Sequence, residues 1–167
     1  MNAQVWIAIL VGLAAMIDDL ARRQIANWIP LSALAAGFGW QIGQSGWNGF
    51  LYAGIGAVAG FAVFLVFYLL GGMGGGDVKL MAGFGALLGA GRLLEAALWT
   101  AGVGGIMAVG VLGWKALRRN LAKWTGRTLA EGMDPARLSL EEREREASIP
   151  YAPAIALGVW LSLVPKG

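Results

Sequence analysis

The chain has 167 residues, of which 57% are hydrophobic, 14% are charged and 27 are glycine, with a net charge of +3. That is far more apolar than a soluble domain of this length needs to be, and it marks a polytopic membrane protein forming a single membrane-embedded domain over residues 1–167. With neither cysteine nor histidine, disulfides, thiol nucleophiles, Ser-His-Asp triads, zincin motifs and His-ligated haem are excluded, which leaves carboxylate, Lys, Tyr or Ser chemistry.

The fold expected is all-α, with about six transmembrane helices. Glycine-rich composition suits close helix packing in lipid, and the eight tryptophans suit membrane interfaces. The apolar run 5–17 is shorter than the roughly 17 to 25 residues a span requires. Extended to about Arg22 it becomes a first helix, which carries Asp18 and Asp19 into its last turns. Its charges follow it and no small-residue cleavage site is evident, so it reads as a retained helix and not a signal peptide.

A second span is expected from Pro30 to about Gly43, then a polar uncharged turn over residues 44–48. A third, uncharged, covers residues 50–70 and ends in the cluster Gly71-Gly72-Met73-Gly74-Gly75-Gly76-Asp77. A fourth is expected over residues 78–90. A short polar connection around Gly91, Arg92 and Glu95 then leads to a fifth over residues 96–114. Residues 115–148 are charged and polar, with Leu117, Leu121 and Trp124 at helical spacing among basic residues. They read as an amphipathic cytoplasmic segment on an anionic membrane surface. Within it Ser139 and Glu142 form a candidate capping box. A sixth span, residues 149–164, closes the chain.

With six spans, every basic residue except Arg92 and Lys166 falls on the side of the connections after spans one, three and five. By the positive-inside rule that side is cytoplasmic and both termini lie outside. The same assignment brings Asp18, Asp19 and Asp77 to the cytoplasmic membrane edge, although their positions do not enter the count.

Carboxylates beside apolar spans are costly in lipid, so they mark a candidate site. Two of them from different helices at one depth suit an aspartic hydrolase. One ionised Asp activates a water while its protonated partner hydrogen-bonds the scissile carbonyl, and no metal or cofactor is required. Gly74, Gly75 and Gly76 leave backbone unshielded next to Asp77, where an extended substrate segment could pair by strand addition, or else they form a plain glycine-rich helix start. Lys79 reads as an interfacial anchor. Asn27 either orients Asp19 or caps the second helix, and Asp18 reads as a solvated charge or a helper hydrogen-bond acceptor.

These segments resemble a known family. Gly74-Gly75-Gly76-Asp77-Val78-Lys79-Leu80 is similar to the GxGD signature of the type IV prepilin peptidases, membrane aspartic proteases. Asp19-Leu20-Ala21-Arg22-Arg23-Gln24-Ile25-Ala26-Asn27 resembles that family's first catalytic segment, with Ala26 where Pro is usual. Ile149-Pro150-Tyr151-Ala152-Pro153 resembles the Pro-rich opening of its last helix. The resemblance implies Asp19 and Asp77 as the catalytic pair, with Asp19 chosen over Asp18 by register. It also implies removal of a short basic leader from pilin-like precursors at the cytoplasmic face of the inner membrane.

The compact form resembles the peptidases of tight-adherence (Flp-type) pilus systems and the archaeal preflagellin peptidases. The Cys-x-x-Cys pairs of longer members have no counterpart, so neither their zinc site nor N-methyltransferase activity is expected. The partners implied are the precursor and the lipid bilayer, with a pilus assembly partner for the charged segment as a further option and no nucleic acid. A rival reading is a small ion-coupled transporter using the same aspartates as cation or proton sites. Against it, carriers favour sites near the bilayer midplane, and the hydropathy pattern shows no internal repeat.

Overall fold

The computed structural model describes residues 3–70, 73–124 and 151–164. All regular structure among them is helical: α1 (Ala3–Arg22), α2 (Trp28–Leu69), α3 (Gly75–Trp124) and α4 (Ala152–Leu163). The capping box at Ser139 lies outside the described residues, as does most of the 115–148 segment.

The packing inverts that of a soluble protein. On α1 the exposed face carries Trp6, Leu10, Leu13, Ile17 and Leu20, whereas the buried face carries Ala8, Gly12, Ala15 and Asp19. Large apolar side chains face outward, as lipid permits, and small ones let the helices approach. Gly12 makes room for the Trp160 ring, whose Nε1 donates to the Ala8 carbonyl at 3.0 Å, so α1 and α4 run antiparallel in contact. In α2 the buried positions Ala33, Gly37, Gly56 and Gly60 do the same work against α3. Gly56 and Gly85 face each other so closely that a Cβ on either would meet the other's carbonyl.

Among the described residues three helices are long and apolar enough to cross a membrane, which supports a membrane protein. Where the sequence suggests six separate helices, the described residues form four. Residues 28–69 and 75–124 each run as one element through a break at a glycine of positive φ, Gly46 (φ 54°) and Gly89 (φ 71°). L-residues rarely adopt this conformation, and glycine accepts it without a Cβ clash. The Gly46 break falls inside the expected turn over residues 44–48 and folds the chain back, so that Gly49 lies against the Gln41 backbone.

The expected polar connection after residue 90 is different. It is the single residue Gly89, and Arg92 and Glu95 lie within the helix that follows. The apolar stretch ends at Trp114 as expected, while the helix itself continues without a break to Trp124. At the Gly89 break the Leu87 carbonyl accepts both Gln4 Nε2 (2.8 Å) and Gln41 Nε2 (3.1 Å). Two amides therefore satisfy a carbonyl that the interrupted helix leaves open. α4 has 12 described residues, shorter than the expected 149–164 span.

Candidate active site

Four polar or charged side chains are buried among the described residues: Asp19, Asp77, Thr100 and Ser162. Thr100 and Ser162 return their hydroxyls to carbonyls of their own helices, Ala96 and Val159. The two aspartates, each 6% exposed, sit instead at helix ends and line one cavity of about 230 Å³.

Asp19 continues the small-residue stripe of α1, which turns it inward at the end of the helix. Its Oδ2 accepts the backbone N–H of Ala152 at 3.0 Å. Ala152 is the first helical residue of α4 and is followed by Pro153, which has no N–H of its own. The α4 N-terminus thus presents a free amide and the positive end of its dipole to an α1 carboxylate.

Asp77 occupies the first turn of α3. Its Oδ2 accepts the Gly74 N–H at 3.1 Å while its own N–H donates to the Gly74 carbonyl at 3.2 Å, a reciprocal pairing that closes the helix start. The other oxygen, Oδ1, is buried without a hydrogen-bond partner. A bare carboxylate oxygen shut away from water is costly and calls for a reason. It belongs to the carboxylate that lines the cavity together with Asp19.

The other residues singled out from the sequence gather around the same cavity. Gly74, Gly75, Gly76 and Lys79 line one side, and Asn27 lines the other with Arg23, Gln24 and Ile25. Two details differ from expectation. Gly75 and Gly76 are already helical, so less extended backbone precedes Asp77 than strand addition would use. Asn27 forms no side-chain cap on α2; its Oδ1 accepts Lys79 Nζ at 2.9 Å, which ties the α1–α2 turn to α3.

Asp18 lies next to Asp19 in sequence and does not line the cavity. It pairs with Arg22 at 3.3 Å and accepts the Ala26 N–H at 2.7 Å, an acceptor role among those open to it. Sequence reasoning missed the Ala152 amide and the wall residues 23–25. Pro153 directly after Ala152 is the signal that could have exposed the first. Among the described residues no group of three or more His, Cys, Asp or Glu side chains gathers to hold a metal ion.

The arrangement holds two buried carboxylates from separate helices in one polar cavity, each with a backbone donor on one oxygen. Two such carboxylates, one ionised and one protonated, are the components that acid–base catalysis uses. No curated protein and no solved structure matches the chain. The model of the type IV leader peptidase family matches residues 6–109, a stretch that takes in Asp19, Asp77 and both sides of the cavity. The chain belongs to the type IV leader peptidase family, which makes it a protease of that general kind.

Proposed function

We propose that the protein is an aspartic endopeptidase of the inner membrane that removes the basic leader from type IV pilin-like precursors at the cytoplasmic face, with Asp19 and Asp77 as the reacting pair. The observation that carries this reading is the buried, unpartnered Oδ1 of Asp77 in the cavity it shares with Asp19. The ionised member of the pair takes a proton from water as the water oxygen attacks the scissile carbonyl carbon. The protonated member donates to the carbonyl oxygen. Collapse of the tetrahedral intermediate breaks the C–N bond, and the leaving amine takes up the proton. Peptidase family membership supports hydrolysis over the ion-carrier reading.

In this reading each side of the Gly46 and Gly89 breaks crosses the bilayer once. With α1 and the last helix this makes six crossings, with both termini outside and the aspartates at the cytoplasmic edge. The distribution of basic residues supports it. A precursor anchored in the same membrane would present its leader junction at the depth of the two carboxylates.

The test is co-expression of a candidate pilin precursor with the wild-type chain or with the Asp18→Asn, Asp19→Asn and Asp77→Asn variants, following leader removal by gel mobility. Asp19→Asn and Asp77→Asn should stop processing and Asp18→Asn should not. Full processing by either of the first two would sink the pair.

A further inference from the structure

The turn between α1 and α2 supplies one wall of the cavity, and a side chain outside the reacting pair holds that turn. Directly after α1, Arg23 has φ 53°, its N–H donating to the Asp19 carbonyl at 2.7 Å. A non-glycine residue is unfavourable in that left-handed conformation, so the turn needs an external constraint to persist. The Asp18 carboxylate provides one. Its Oδ2 accepts the Ala26 N–H at 2.7 Å, and its Oδ1 faces Arg22 Nε at 3.3 Å. The Arg22 side chain is 75% exposed and that of Asp18 only 16%, so the short charge-assisted bond to the amide outweighs the solvated ion pair.

What the turn carries reaches the site in two places. Ile25 packs on Gly76, so tightly that a Cβ there would lie 3.1 Å from the Ile25 Cβ. Asn27 receives Lys79. Gly76 and Lys79 flank Asp77 in the first turns of α3.

We propose that Asp18 is a positioning residue for this site: by holding the Ala26 N–H it fixes the 23–27 turn, seats Ile25 and Asn27 on the start of α3, and so sets the opening of the cavity that contains Asp19 and Asp77. Asp18 touches neither substrate nor the reacting atoms in this scheme. The activity part of the proposal rests on the reading of Asp19 and Asp77 given above, whereas the structural part does not.

The experiment uses the full chain in detergent micelles, with amide hydrogen exchange as one readout. The other is the rate of leader removal from a precursor made of a Lys/Arg-rich leader ahead of an apolar helix of roughly 20 residues. In Asp18→Ala, exchange over residues 24–27 should rise about tenfold or more, the weight of one hydrogen bond to a charged group, and the cleavage rate should fall by a similar factor. Asp18→Asn keeps an oxygen within reach of the Ala26 N–H and should restore both to within about threefold of wild type, since it keeps the acceptor and loses the charge on it and an exposed ion pair.

Ala26→Pro removes the N–H, so adding Asp18→Ala in that background should change neither readout further. If Ala26→Pro does not fold, the contrast between Ala and Asn at position 18 still decides. Unchanged exchange in Asp18→Ala, equal effects of Asp18→Ala in both backgrounds, or faster exchange with undiminished cleavage would each overturn the proposal. A wild-type chain that leaves the precursor intact would overturn the peptidase reading, while exchange would still decide whether Asp18 holds the turn.

Discussion

The backbone amide of Ala152 donates to the carboxylate of Asp19 across 133 positions of sequence, joining the start of the last helix to the end of the first. This contact stations one carboxylate at a helix N-terminus from another part of the chain, while Asp77 stands at the N-terminus of its own helix. Both acids are thus held by backbone donors, which only a proline at the donor position would remove.

Ala152→Pro deletes that donor at the first helical position, a place in a helix that accepts proline. A hydrogen bond to a charged group is worth about 1.5–3 kcal/mol, or roughly a 10- to 100-fold effect if fully expressed in the transition state. The expected outcome is a loss of that order in leader removal with an unchanged helical circular dichroism spectrum. Wild-type activity in this variant would mean that the amide does not position Asp19.

The glycines ahead of Asp77 should not be equivalent. A Cβ at Gly75 would lie 3.7 Å from Tyr68 Cε2, an ordinary contact, whereas one at Gly76 would press on Ile25. Gly75→Ala should therefore keep most of the activity and Gly76→Ala should lose several-fold more, both with near-wild-type thermal stability. The two residues are helical, so neither substitution meets a backbone conformation closed to alanine. The reverse ranking would show that the Gly76–Ile25 contact does not control the site.

Much of this architecture is legible in the sequence for physical reasons. Asp19 and Asp77 fall beside uncharged apolar runs, where an acid is costly, and the two line one cavity. The α1 stripe of Ala8, Gly12 and Ala15 also points inward to Asp19 and not to Asp18, a discrimination available from spacing alone. Other features leave little trace. The Ala152 N–H is a backbone group with no side-chain signature beyond the neighbouring proline. The break at Gly89 is one glycine among 27, while Arg92 and Glu95 mimic a loop although they sit in a helix. The link between Asn27 and Lys79 depends on the relative placement of two helices, which no local pattern encodes.

Gly56 and Gly85 set the separation of α2 and α3. A Cβ on either would collide with the backbone carbonyl of the other, and a carbonyl within a helix cannot swing aside as a flexible side chain would. Gly56→Ala and Gly85→Ala should each destabilise the protein by about 1–3 kcal/mol or more, as overpacking does. Thermal unfolding in detergent would check this, with Gly54→Ala as the control, since nothing lies within 4 Å of a Cβ there. Equal stability of Gly54→Ala and Gly56→Ala would refute the close approach.

Gln4 and Gln41 should behave non-additively. Each donates to the Leu87 carbonyl next to the Gly89 break, so removing one leaves the acceptor satisfied by the other. Gln4→Leu or Gln41→Leu alone should cost about 0.6 kcal/mol, the typical worth of an interhelical hydrogen bond in a membrane protein. The double variant strands a carbonyl inside an apolar bundle, for which the penalty is about 1–3 kcal/mol, so its loss should exceed the sum of the singles. A double-mutant cycle read by unfolding in detergent would show this as a positive coupling energy. A strictly additive cycle would mean that the broken end of the first half of α3 is satisfied by something other than these two amides.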